Sequence, residues 1–101
     1  MQHTISKNGD SAIITFTGSL TFEGQQDFRT MLQTLKDSGN KRWILDLQNL
    51  EFIDSAGLGL LLRAQAHAEK AGAKVGLRVP KDGHVAEILA IAQFHQLLDF
   101  I

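Results

Sequence analysis

The chain has 101 residues, no cysteine and a formal net charge of −1. That length buries about 60–70% of the unfolded surface, enough for one core, so a single domain over residues 1–101 is expected. The near-zero charge excludes a global field toward nucleic acid or an anionic membrane, and the missing cysteines exclude disulfides and thiol catalysis.

The opening "MQHTISKNGD" lacks the apolar core of a signal peptide. No apolar run approaches the ~20 residues that span a bilayer. A cytoplasmic domain without membrane insertion is the expectation.

In chain order, "HTISKN" alternates weakly, Asn8-Gly9-Asp10 is a turn signal, and Ser11 to Phe16 is β-branched and apolar. Together they predict a hairpin. Gly18 to Thr21 reads as a loop, with Thr21 placed to cap a helix. From Phe22 to Ser38, the apolar residues Phe28, Met31, Leu32 and Leu35 follow helical spacing, and Gly39 closes the segment. Arg42 to Leu47 is a nearly continuous apolar run, as in a central parallel strand. Asp54-Ser55 offers cap chemistry for a helix over Ser55 to Ala71, closed by Gly72. Ala73 to Val79 is the next strand, stopped by Pro80. Asp82 is placed to cap a third helix through Val85, Ile88, Leu89 and Ala92. Phe94, Leu97, Leu98 and Ile101 continue at helical spacing. Strand–helix–strand passages require parallel, right-handed crossovers. The expected fold is α/β: a mixed sheet of four to five strands with helices packed mainly on one face.

The chemistry concentrates in "FIDSAGLGLLL", Phe52 to Leu62. Two glycines open the second helix, where each costs roughly 1 kcal/mol against alanine. A nucleophilic serine needs Gly-x-Ser-x-Gly, but Ile53 stands at the first glycine position. His67 lies within the helix, pointing away from its start. A phosphate-cradling loop needs Gly-x-Gly-x-x-Gly, but Leu62 stands at the third glycine position. A serine presented as a substrate remains open. A helix start tolerates a phosphate there, which would add about −1.5 to −2 charge beside Asp54. On that reading, Gly57 and Gly59 let another protein's backbone approach. A capped helix whose glycines pack on their own sheet is the competing account.

"ILDLQNLEFIDSAGLGLLL" resembles the signature of the STAS family, the sulphate-transporter and anti-sigma-factor-antagonist domains. "IITFTGSLTFEGQQDFR" and "KVGLRVPKDGHVAEILAIAQFHQLLDFI" are similar to other parts of the same family, so the likeness covers essentially the whole chain. The resemblance implies a stand-alone bacterial anti-sigma factor antagonist. Its partner would be an anti-sigma factor that is also a serine kinase. The kinase would phosphorylate Ser55 and release the antagonist, and a serine phosphatase would reverse this. ATP would belong to the kinase, so the chain would be a substrate and not an enzyme, with no cofactor of its own. The implied partner surface is Thr21, Phe22, Asp54, Ser55, Ala56, Gly57, Leu58 and Gly59. Many members carry an acidic residue where this chain has Thr21. The resemblance also allows an accessory subunit of a membrane lipid-transport ATPase, or another non-sigma scaffold, in which Ser55 is an ordinary contact.

Phe22 is either an exposed partner anchor or a hydrophobic staple or core contact. Trp43 reads as core edge, and Arg63 and Lys70 as solvated. The histidines show no ligand spacing, so no metal site is expected.

Overall fold

A computed structural model describes residues 1–101. Strand β1 (Gln2–Asn8) and strand β2 (Ser11–Leu20) form the antiparallel hairpin, with Asn8 opposite Ser11 and Gly9 at φ +62° between them. A 3-10 turn, Phe22–Gly24, leads into helix α1 (Gln25–Ser38). Strands β3 (Arg42–Asp46) and β4 (Leu50–Ile53) precede helix α2 (Ser55–Lys70). Strand β5 (Lys74–Arg78), helix α3 (His84–Ile91), a second 3-10 turn (Phe94–Gln96) and strand β6 (Asp99–Phe100) complete the chain. The six-stranded sheet runs β1-β2-β3-β5-β6, and β4 pairs with β2.

The sheet is one-sided because its residues alternate. Ala12, Ile14 and Phe16 of β2 are buried, while Ile13 and Thr15 between them are half-buried and Thr17 is exposed. Ala12, Ile14 and Phe16 join Trp43, Leu45, Val75 and Leu77 in one core cluster. Helix α1 adds Phe28, Met31, Leu32 and Leu35; α2 adds Leu60, Leu61, Ala64 and Ala68. Helix α3 adds Val85 and Leu89 to the same cluster. Fully burying each large side chain contributes roughly 1.5–3 kcal/mol. Trp43 is fully buried rather than at the core edge, and its indole N–H donates to the Asn40 carbonyl at 3.2 Å.

The structure departs from the sequence reading in four places, each for a backbone reason. Gly18 to Leu20 is strand, not loop, because β2 outruns β3 and pairs next with β4. Strand β4 was invisible in the spacing, being four residues long with Glu51 and Phe52 both exposed. Thr21 and Asp82 cap nothing: no side chain caps the turn after Thr21, and Gly83 holds the cap position of α3. The tail makes only one 3-10 turn before it extends. Gln93 at φ +53° ends the helical path, and the free edge of β5 then recruits the chain, with Ile101 N–H donating to the Leu77 carbonyl at 2.8 Å.

His67 of α2 is half-buried, with Nδ1 enclosed and unpartnered. Burial, then the nearby cations Lys36, Lys70 and Arg63, hold its pKa below the ordinary 6.5. The folded state therefore favours neutral imidazole, and the unfolded chain takes up the proton first. The stability this site contributes is complete above about pH 7 and is lost as pH falls through 6.5 toward the lowered folded value. Urea denaturation of wild type and His67→Gln across that window is expected to give a shallower acid-side decline for the variant.

Candidate functional site

Strands β2 and β4 run parallel, with Leu20 beside Ile53 at their ends. The chain leaves the sheet there twice, into Thr21-Phe22 and into Asp54-Ser55. Two segments far apart in sequence thus emerge side by side, tied by the Asp54 N–H donating to the Leu20 carbonyl at 3.4 Å.

Asp54, not Ser55, caps α2. Its extended backbone (φ −114°, ψ −175°) turns the carboxylate back over the helix start, where Oδ1 accepts the Gly57 N–H at 2.8 Å. The Asp54 carbonyl accepts the Leu58 N–H at 3.0 Å. A carboxylate at a helix N-terminus also complements the dipole. Ser55 is consequently the first helical residue, and it is exposed. With the cap filled by its neighbour, its hydroxyl is released from a structural duty.

The two glycines have different reasons. Gly57 is buried; a Cβ there would collide with the Leu20 carbonyl oxygen and stand 2.7 Å from Ile53 Cγ1. This glycine lets the first turn of α2 lie on the ends of β2 and β4. The expectation that it opens the helix to a partner is corrected: its close neighbour is its own sheet. Gly59 is exposed, with nothing within 4 Å of an added Cβ. Of the other expected contact residues, Thr21, Asp54, Ala56 and Leu58 are half-buried, and Leu58 packs partly on the core. Phe22 is 69% exposed, so it is no core contact.

The sequence reading missed Phe52 and His84. Phe52 is 43% exposed and its ring stacks on the His84 imidazole, centroids 4.6 Å apart and planes 1° from parallel. His84 Nε2 lies 3.0 Å from the Ile53 carbonyl oxygen, to which it donates. Neither residue sits in a motif, and they are 32 positions apart (84 − 52). His84 is thereby occupied with β4 rather than poised as a base on Ser55.

A family model described as "Mlab, STAS domain" matches residues 3–99. A STAS-domain containing protein of Pseudomonas aeruginosa (strain UCBPP-PA14) is 34% identical over 92 residues, 91% of this chain and 89% of the relative. The fold is similar to the unphosphorylated anti-sigma factor antagonist SpoIIAA, with a TM-score of 0.73 at 18% identity over 99% of this chain and 87% of that one. It is similar to phosphorylated SpoIIAA of Bacillus, at a TM-score of 0.71 and 18% identity over 99% and 91% of the two chains. An anti-sigma factor antagonist of Mycobacterium paratuberculosis gives a TM-score of 0.75 at 16% identity over 98% and 83%. At such identities these structures establish the fold alone. The chain belongs to the STAS family.

Two sets of substitutions separate the roles. Gly57→Ala forces backbone to move and is expected to cost about 1–3 kcal/mol or more. Gly59→Ala is expected to be neutral or to stabilise by up to about 1 kcal/mol. Thermal melts of the two variants check this. Asp54→Ala is expected to cost about 0.5–2 kcal/mol and Asp54→Asn far less. Ser55→Ala, away from the cap, is expected to stay within about 0.5 kcal/mol of wild type. Chemical denaturation ranks the three.

Proposed function

We propose that this STAS-family chain, one domain over residues 1–101, is an anti-sigma factor antagonist switched by phosphorylation of Ser55. The observation that carries the reading is the division of labour at the start of α2. Asp54 holds the helix, Gly57 seats it, and the exposed Ser55 hydroxyl is free to be modified.

A phosphate on Ser55 would add about −1.5 to −2 charge. The first helical turn tolerates it, because unpaired backbone N–H groups and the helix dipole favour an anion. The cap and core contacts do not pass through the hydroxyl, so the fold persists while the surface beside Asp54 becomes more negative. A partner docked over Ser55, Gly59 and Phe22 would meet a desolvated dianion beside the Asp54 carboxylate. Like-charge crowding in an interface costs several kcal/mol, which is enough to release it. The partner is an anti-sigma factor with serine-kinase activity, which brings the ATP; a serine phosphatase restores the binding form. The chain is the substrate in both steps, and the consequence is control of sigma-factor-dependent transcription in the bacterial cytoplasm.

The expected result is that kinase and ATP add one phosphate, placed on Ser55 by mass spectrometry. Ser55→Ala should gain none and keep binding, while Ser55→Asp should bind more weakly with an unchanged melt. Phosphate only on Ser11, Ser19 or Ser38 would overturn the assignment. A Ser55 that is never modified, in a chain that co-purifies with a transporter ATPase, would instead support the accessory-subunit role.

A further inference from the structure

The start of α2 at Ser55 has a second anchor, on the side of β4 away from β2. Strand β4 has four residues, and only Leu50, Phe52 and Ile53 are in register with β2. No strand pairs with its other side. A strand this short, held along one edge, frays readily. Yet the residue that follows it is Asp54, whose carboxylate and carbonyl set the first turn of α2.

His84 occupies that open edge. It is the first residue of α3, and α3 is fixed to the core by Val85 and Leu89. From there one imidazole grips two consecutive residues of β4. Nε2 donates to the Ile53 carbonyl at 3.0 Å, and the ring lies flat on Phe52. Both contacts fall immediately before Asp54. Donation from Nε2 is available to the neutral Nε2–H tautomer and to imidazolium alike, so the grip does not depend on the ring's charge. His84 is exposed, though the Ile53 it bonds is buried, and water can reach the carbonyl if the imidazole is removed. Its removal therefore loosens the strand end more than it unfolds the domain.

We propose that His84 is a positioning residue that holds the end of β4, and through the Asp54 cap the first turn of α2 carrying Ser55, in the shape a kinase partner reads. The proposal rests on the reading of Ser55 as the modified residue. It predicts that the order of Ser55's surroundings is set partly by α3, which contributes nothing to that turn by sequence.

The test uses the whole chain with His84→Ala and His84→Gln. The Gln side-chain N–H₂ can reach the Ile53 carbonyl in place of Nε2. Amide hydrogen exchange is read at Gly57 and Leu58, whose N–H groups bind Asp54, and at Leu45 and Leu77 in the central strands. His84→Ala is expected to speed exchange at Gly57 and Leu58 by roughly threefold to tenfold, the factor set by one net hydrogen bond. Leu45 and Leu77 should be unaffected, and His84→Gln should return most of the protection. The kinase-catalysed rate at Ser55 should fall in His84→Ala and recover in His84→Gln. Unchanged exchange at Gly57 and Leu58, acceleration equal at all four amides, or a phosphorylation rate indifferent to the substitution would overturn the proposal. If wild-type Ser55 accepts no phosphate, the switch reading fails by itself, and the exchange data, which need no kinase, still decide whether His84 holds the turn.

Discussion

The first turn of α2 rests directly on the carbonyl end of β2, and the rest of the site follows from that contact. Only glycine fits at position 57, where a side chain would meet the Leu20 carbonyl oxygen. Such proximity places Asp54 within reach of the Leu20 carbonyl through its own N–H and of the Gly57 N–H through its carboxylate. The helix is thereby pinned at its start by backbone hydrogen bonds and one charged cap. Ser55 is left on a rigid turn with no part in holding it. A modifiable residue is best placed where it is presented firmly and supports nothing, because its modification then changes recognition without changing the fold.

This arrangement also explains why the exposed apolar surface does not act as core. Phe22 follows β2 and Phe52 lies in β4, so both stand at the edge where the two strands end. Phe22 faces water on one flank of the helix start; Phe52 is backed by His84 on another. The opposite side of α2 is entirely committed inward, through Leu60, Leu61, Ala64 and Ala68. The molecule thus divides between a helix face that holds the sheet and a helix start left open to solvent. Polar positions such as Thr4, Thr15 and Thr17 on the uncovered face of the sheet carry no comparable apolar anchor.

Much of the fold was legible because its periodicities are strong. The β-branched, apolar stretch Ser11 to Phe16, the 3-4-7 spacing of Phe28 to Leu35, and the nearly continuous apolar run Arg42 to Leu47 each have one good structural solution. The Asp-Ser-Ala-Gly-Leu-Gly stretch marked the candidate site, and the family likeness it carries is matched over residues 3–99. What the residues concealed were decisions made by tertiary contacts. Asp54 and Ser55 are both good caps, and only the strand geometry selects Asp54. Gly57 and Gly59 look equivalent in sequence, yet one faces a carbonyl and the other faces solvent. Strands β4 and β6 exist because β2 and β5 have free backbone edges, a property of the sheet and not of their own short sequences. His84 joins the site across 31 positions from Ile53, beyond any local signal.

The central claim is that one phosphate on Ser55 changes binding and leaves the fold intact. The direct measurement is a calorimetric titration of the anti-sigma kinase with unmodified chain and with chain phosphorylated completely at Ser55, alongside thermal melts of both forms. The account predicts coincident melts and affinity weakened on the order of tenfold or more, about 1.4 kcal/mol at the least. Equal affinities for the two forms, or a phosphorylated chain that binds poorly only because it has lost its structure, would contradict it.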